Sequence, residues 1–143
     1  MRDILFRAKA INRTGRERTD YKKGDWVYGL ITSLNDDRFP NIPAQMTNTD
    51  GISGIEVDYN TIGQYVESVD CHNVKIFEGD VILDEVGKKH IVLFDTDRCG
   101  YYPFAHGDGC GCCERNTLWT PEMQEVIGNI YDNPELMDEC VNG

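Results

Sequence analysis

Five residues that could ligate a soft metal crowd into fifteen positions: Cys99, His106, Cys110, Cys112 and Cys113. Any four of them would supply the N and S donors of a tetrahedral Zn²⁺ site. The spacing argues against it. Zinc ribbons and fingers split their ligands into two pairs, each separated by roughly two to four residues, whereas Cys110-Gly111-Cys112-Cys113 is one cluster with only Cys99 or His106 to complete it. An oxidised pair is disfavoured in a reducing compartment. The expectation is therefore free thiols in an alterable loop, with a structural zinc as the alternative, and no metal or cofactor site is assigned. Cys71 and Cys140 read as free cysteines.

Catalysis needs a nucleophile or an acid/base group with a partner, and the candidates are Cys71 beside His72, His90, and Asp95 with Asp97. Adjacent strand residues point to opposite faces, so Cys71 and His72 could meet only inside a turn. His90 falls in an alternating strand and is expected to face solvent. Asp95-Thr96-Asp97 at a strand end reads as a solvated turn. Gly107-Asp108-Gly109 lacks the other ligands of a calcium loop, and neither a phosphate loop nor a hydrolase elbow occurs. No catalytic residue is assigned, and the chain is expected not to be an enzyme.

The elements that would position these residues are strands. Ile4, Phe6 and Ala8 alternate with Leu5, Arg7 and Lys9, which predicts a strand over 3–10 with one face open to water. Trp26 to Thr32 is aromatic and β-branched, and Gly29 within it marks a bulge or a close approach. A loop over 33–41, a short strand over 42–47 and a Gly-containing loop over 48–55 follow. An extended stretch runs from Glu56 to Val66, and Asp70 to Asn73 form a polar turn. Further short strands are predicted at 81–84, 88–95, 99–105 and 124–130, the first two joined by a turn at Asp84 to Gly87. So many short strands suggest a small closed barrel. Helical turns are expected only near Thr120-Pro121-Glu122 and Asn133-Pro134-Glu135, the second running on towards Val141. The fold class is thus all-β: an amino-terminal β region over 1–66 and a small barrel region over 67–143, with a soft boundary that leaves room for one domain.

Three segments together resemble a known family: Met1-Arg2-Asp3-Ile4-Leu5-Phe6-Arg7-Ala8-Lys9, then Gly24-Asp25-Trp26-Val27-Tyr28-Gly29, and above all the second half. There, Thr61-Ile62-Gly63-Gln64-Tyr65, Lys75-Ile76-Phe77-Glu78-Gly79-Asp80-Val81 and the stretch Glu125-Val126-Ile127-Gly128-Asn129-Ile130-Tyr131-Asp132-Asn133-Pro134-Glu135-Leu136 are similar to the YopX family of phage and prophage proteins. The resemblance implies an all-β chain whose carboxy-terminal part is a Src-homology-3-type (SH3-like) barrel, in proteins reported as homo-oligomers, and it implies no activity. Two departures stand out. Where the family commonly has Thr-Gly and a Lys-Asn-Gly turn, this chain has Val66-Glu67 and Cys71-His72-Asn73, so the turn there either differs or tolerates Asn73 in the left-handed conformation. The family region that holds the cysteine cluster is variable, and the resemblance does not vouch for it.

Charge bounds the partners. Of the 143 residues, 14 are Lys or Arg and 25 Asp or Glu, a net charge of −11, yet residues 1–23 hold eight basic against three acidic residues, a net +5. The remaining chain carries −16 and repels phosphate backbones at long range. The basic segment around Arg13, Arg16 and Arg18 reads as a solvated loop, as a dock for an acidic surface, or as a nucleic-acid contact. No apolar run approaches a membrane span and the start lacks a signal-peptide h-region, so the protein is expected in the cytoplasm, and the resemblance to phage and prophage proteins implies that of a bacterial host. Aromatic residues are numerous, and Tyr101-Tyr102-Pro103-Phe104 cannot bury every ring, which favours an interface. The expected function is that of a non-enzymatic, self-associating phage or prophage accessory protein that binds protein, with nucleic acid and membrane not expected as partners. An acidic decoy of nucleic acid and a zinc-stabilised nucleic-acid module are the alternatives.

Overall fold

The structure is a computed structural model that describes residues 4–11, 21–34, 43–96, 100–103 and 121–140. It is predominantly β, with antiparallel sheets and short 3-10 turns. The chain divides into two compact units, Met1–Gln64 and Tyr65–Gly143.

In the first unit β1 (Phe6–Lys9), β2 (Trp26–Ser33), β3 (Ala44–Asn48) and β4 (Ile55–Val57) pair in chain order. The last strand then returns to the first. Ala10 bridges Val57, the Ile11 amide donates to the Glu56 carbonyl at 3.0 Å, and the Asp58 amide donates to the Lys9 carbonyl at 2.9 Å. A sheet curled this tightly has a narrow interior, and the side chains inside it are correspondingly small. Ala8, Ala10 and Ala44 share the core with Val27, Met46, Ile55 and Val57, while Phe6, Tyr21, Ile31 and Ile62 close its rim. Burial of each larger aliphatic contributes about 1.5–3 kcal/mol.

Gly29 proves to be a close-approach position. It sits opposite Asn48, and a side-chain carbon there would run into the Thr47 carbonyl oxygen and come within 2.8 Å of the Asn48 Cα. The β-bulge lies further along, between Ile31 and Ser33. Asn48 also organises the turn that follows: its Oδ1 accepts from the Asp50 and Ile52 amides at 3.0 and 2.9 Å. A 3-10 turn at Tyr59–Thr61 presents Thr61 Oγ1 to the Lys9 amide at 2.9 Å. The outer face of β1 is less open than its alternation suggests, because Arg7 is only 6% exposed and lies with its Cζ 4.4 Å from the centre of the Trp26 ring.

β5 (Gly63–Val69) begins beside β1 and continues into the second unit, where it pairs with β6 (Lys75–Phe77). Asn73 takes φ +65° in the intervening turn, as its residue type allows, and Glu67 takes φ +68° where the β5–β6 register breaks. β7 (Asp80–Leu83) runs between β8 (Lys89–Ile91) and β11 (Glu125–Asn129), and β9 (Leu93–Asp95) pairs with β10 (Gly100–Tyr102). The turn expected at Asp84 to Gly87 joins β7 and β8, with the Asp84 amide donating to the Lys88 carbonyl at 2.9 Å. Ile76, Ile82 and Val92 form the core, flanked by Val66, Tyr101 and Val126.

Two expectations need correcting here. The predicted strand over 88–95 is broken at Val92, whose amide donates to the Asp80 carbonyl while its own carbonyl accepts from Gly79, at 2.9 and 2.8 Å. Partly for that reason the ladders β11–β7–β8 and β9–β10 stay separate, and among the described residues they do not close into a barrel. The helical turns appear as 3-10 segments at Pro121–Met123 and Pro134–Glu139. Asn133 does not cap the second one with its side chain. Thr120, Val141, the loop over 35–42 and the basic positions Arg13, Arg16 and Arg18 lie outside the described residues. Among the described residues no helix is long and apolar enough to cross a membrane.

Candidate functional site

The second unit joins two buried polar side chains, Asp84 and His90, to the half-buried Tyr102. Val81, Ile82, His90 and Ile91 are all buried, so the β7–β8 hairpin is covered on both faces, and His90, which pairs with Ile82, is 1% exposed rather than solvent-facing. Its Nε2 lies 2.8 Å from Asp84 Oδ2 and its Nδ1 lies 3.1 Å from the Tyr102 hydroxyl, with the two rings edge to face. Asp84 Oδ1 accepts from the Val86 and Lys88 amides at 3.0 and 2.9 Å. Burial alone would push the Asp84 carboxyl up, but the hydrogen bonds from His90, Lys88 and Val86 outweigh it and hold the group below the ordinary carboxylate value. An ionised Asp84 can only accept, so His90 Nε2 is the donor of that bond, and Nδ1 faces the Tyr102 hydroxyl, which can donate or accept.

Carboxylate, imidazole and hydroxyl in series is the connectivity that activates a nucleophile. Here it joins the β7–β8 turn to β10 inside a packed core. The arrangement satisfies buried polar groups and fixes the hairpin against β10. Sequence reading missed it because alternation names an outward face only when one face is solvated. The available signal was the hairpin register, which sets His90 opposite the apolar Ile82 and diagonal to Asp84.

Cys71 and His72 do occupy a turn, and they point to other partners. His72 Nε2 lies 3.1 Å from Glu125 Oε2, and the Cys71 amide donates to the Gln124 carbonyl at 2.8 Å. Desolvation, with the carboxylates of Asp70 and Glu125 nearby, raises the Cys71 thiol above its ordinary value, the opposite of what a thiolate nucleophile needs. Burial and Glu139 likewise raise Cys140, against the opposing pull of Lys89. Asp70 organises the turn: Oδ1 accepts from the His72 and Val74 amides at 2.8 and 2.9 Å, and Oδ2 accepts from the Val126 amide at 2.9 Å. Among the described residues no group of three or more His, Cys, Asp or Glu side chains is placed to hold a metal. Asp97, Cys99, His106, Asp108, Cys110, Cys112 and Cys113 lie outside the described residues, as does the side chain of Asp95.

The long motif at 125–136 has an architectural account. Asn129 Oδ1 accepts from the Tyr131 and Asp132 amides at 3.0 and 2.8 Å, and its Nδ2 donates to Asp132 at 3.1 Å. Asn133 Oδ1 accepts from the Asn129 amide at 3.3 Å. A side-chain carbon at Gly128 would sit 2.5 Å from that same oxygen and 3.0 Å from Leu136 Cδ1. One at Gly79, at φ +89°, would meet the Tyr131 ring at 3.0 Å.

Against this geometry stand the comparisons with known proteins. No curated protein matches the chain in sequence. A crystal structure of protein EF1440 from Enterococcus faecalis is similar at a TM-score of 0.52 and 24% identity, over 96% of this chain and 99% of that one, which is a likeness of fold. The family model described as YopX protein matches residues 18–138, a span that takes in the Gly29 crossing, the Asp84–His90–Tyr102 chain and the Asn129 turn, and the protein belongs to the YopX family.

Proposed function

We propose that this chain is a non-enzymatic, homo-oligomeric accessory protein of a phage or prophage, acting in the bacterial cytoplasm as a protein-binding or assembly module. The observation that carries the reading is the separation of charge between the units. Residues 1–64 hold nine basic and nine acidic residues, whereas residues 65–143 hold five basic against sixteen acidic, so the second unit carries the whole net charge of −11. Within the first unit, residues 1–23 are basic at +5. Complementary surfaces on one chain favour association with further copies. The Asp84–His90–Tyr102 chain has a structural part in this reading, since its carboxylate and imidazole are enclosed.

Light scattering at micromolar concentration tests the proposal. The expected mass exceeds the monomer's 16.3 kDa, and charge reversal of Arg13, Arg16 and Arg18, or salt high enough to shorten the Debye length to about 3 Å, weakens the assembly. A clean monomer at low and moderate salt alike refutes it. The acidity of the second unit also favours a second reading, a decoy that occupies a host DNA-binding protein. Capture of such a protein by a wild-type monomer, released by competing duplex DNA, would select the decoy.

A further inference from the structure

β2 lies between β1 and β3, with Val27 and Ile31 on the core side. An antiparallel strand in that position ordinarily turns polar residues to water. Here the outward residues are Trp26, Tyr28, Leu30 and Thr32, and Tyr28 and Leu30 are 39% and 51% exposed. Isolated exposed apolar residues need no explanation, but a contiguous stripe on a central strand does. The stripe is flanked by cations: Arg7 stands opposite Tyr28 and Lys9 opposite Trp26, each with its charge over the Trp26 ring, at 4.4 and 4.9 Å. Lys22 and Lys23 are exposed in the turn that leads into β2.

We propose that this stripe of β2 docks the acidic second unit of another copy of the chain. The inference rests on the self-association proposed above and names the surface and its counterpart. The second unit offers the opposite charge, −11, and apolar surface of its own at Leu93 and Phe94 on β9. A phosphate backbone would also be drawn to Lys22 and Lys23, but it would have to approach against the net charge of the whole chain.

The test compares the wild type with Leu30→Glu, Tyr28→Glu and Leu30→Lys by sedimentation, each checked for an unchanged thermal melt. Both Glu variants weaken assembly by more than roughly tenfold, because each brings a like charge to an acidic partner, and Leu30→Lys weakens it less than Leu30→Glu. Carbodiimide cross-linking of mixed ¹⁴N- and ¹⁵N-labelled protein gives mixed-label peptides joining Lys22 or Lys23 to carboxylates of residues 65–143. A wild-type oligomer that survives both Glu substitutions, equal losses from Leu30→Glu and Leu30→Lys, or mixed-label links confined to residues 1–64 would overturn the docking surface while leaving self-association intact. A wild-type monomer defeats both, and a monomer that binds a single-stranded oligonucleotide through Tyr28 assigns the stripe to nucleic acid instead.

Discussion

Replacing Asp84 with Asn probes the buried polar chain with almost no change of volume. A carboxylate offers two acceptor oxygens, and Asp84 uses one for His90 Nε2 and the other for the amides of Val86 and Lys88. An amide offers one. With its oxygen towards the turn, Asn keeps both amide bonds and turns its NH₂ to Nε2, which accepts once the ring proton sits on Nδ1 and is donated to the Tyr102 hydroxyl. The loss is then the charge assistance of three hydrogen bonds, about 2 kcal/mol. At a urea dependence of about 2 kcal/mol per molar this lowers the midpoint by roughly 1 M. Exchange protection of the β7 and β8 amides, followed through urea, reads the second unit directly. The effect also depends on pH. The folded-state pKa of Asp84 lies below the ordinary 3.8, so the unfolded chain takes up the proton first, and the stabilisation is complete above that value and lost as pH falls through the folded one. The wild type and Asp84→Asn should therefore differ at pH 7 and converge in acid. An unchanged midpoint at pH 7, or a gap that does not narrow as pH falls below 3.8, would refute the reasoning.

Gly29→Ala should cost more than the roughly 1 kcal/mol typical of a point mutation, since the added carbon collides with the Thr47 backbone, which cannot rotate away; soluble yield and a lowered melting temperature report it, and a wild-type melt would contradict the close crossing. Ser at Cys110, Cys112 and Cys113 together, or a chelator, is expected to leave the melting temperature unchanged. Stoichiometric zinc in protein purified without added metal, with a large loss of stability on chelation, would instead promote Cys99, His106 and the cysteine cluster to a structural site.

Much of the fold was legible where local chemistry decides it. The strands at β1, β2 and β3, the Asp84–Gly87 turn, the left-handed Asn73 and the close approach at Gly29 each follow from one residue type in one conformation. What was not legible depended on the second face of a strand. Alternation at 88–95 placed His90 in water because it cannot report that both sides of a hairpin are covered, as Val81, Ile82 and Ile91 show. Arg7 was misplaced for a related reason: its guanidinium lies over Trp26, and adjacency across a ladder is not written in either strand alone. The curl of the first unit was hidden as well. Its interior depends on Ala8, Ala10 and Ala44, and alanine is a weak strand signal whose value appears only when the sheet closes back at Val57.

The residues that carry the family resemblance explain why the sequence reads as a family and not as an activity. Gly128, Asn129 and Asn133 serve a tight turn, Gly79 makes room for Tyr131, and Asp80 Oδ2 accepts from the Phe77 amide at 2.8 Å to set the start of β7. Each is a position where only one or two residue types fit the backbone. A motif assembled from such positions specifies a scaffold, and a scaffold leaves function to the surfaces it holds rigid. In the first unit, Tyr28 and Leu30 are large side chains on a regular strand that the local backbone does not require. They occupy places where a soluble sheet would ordinarily put Thr, Lys or Glu, so the β2 face departs from the needs of folding alone.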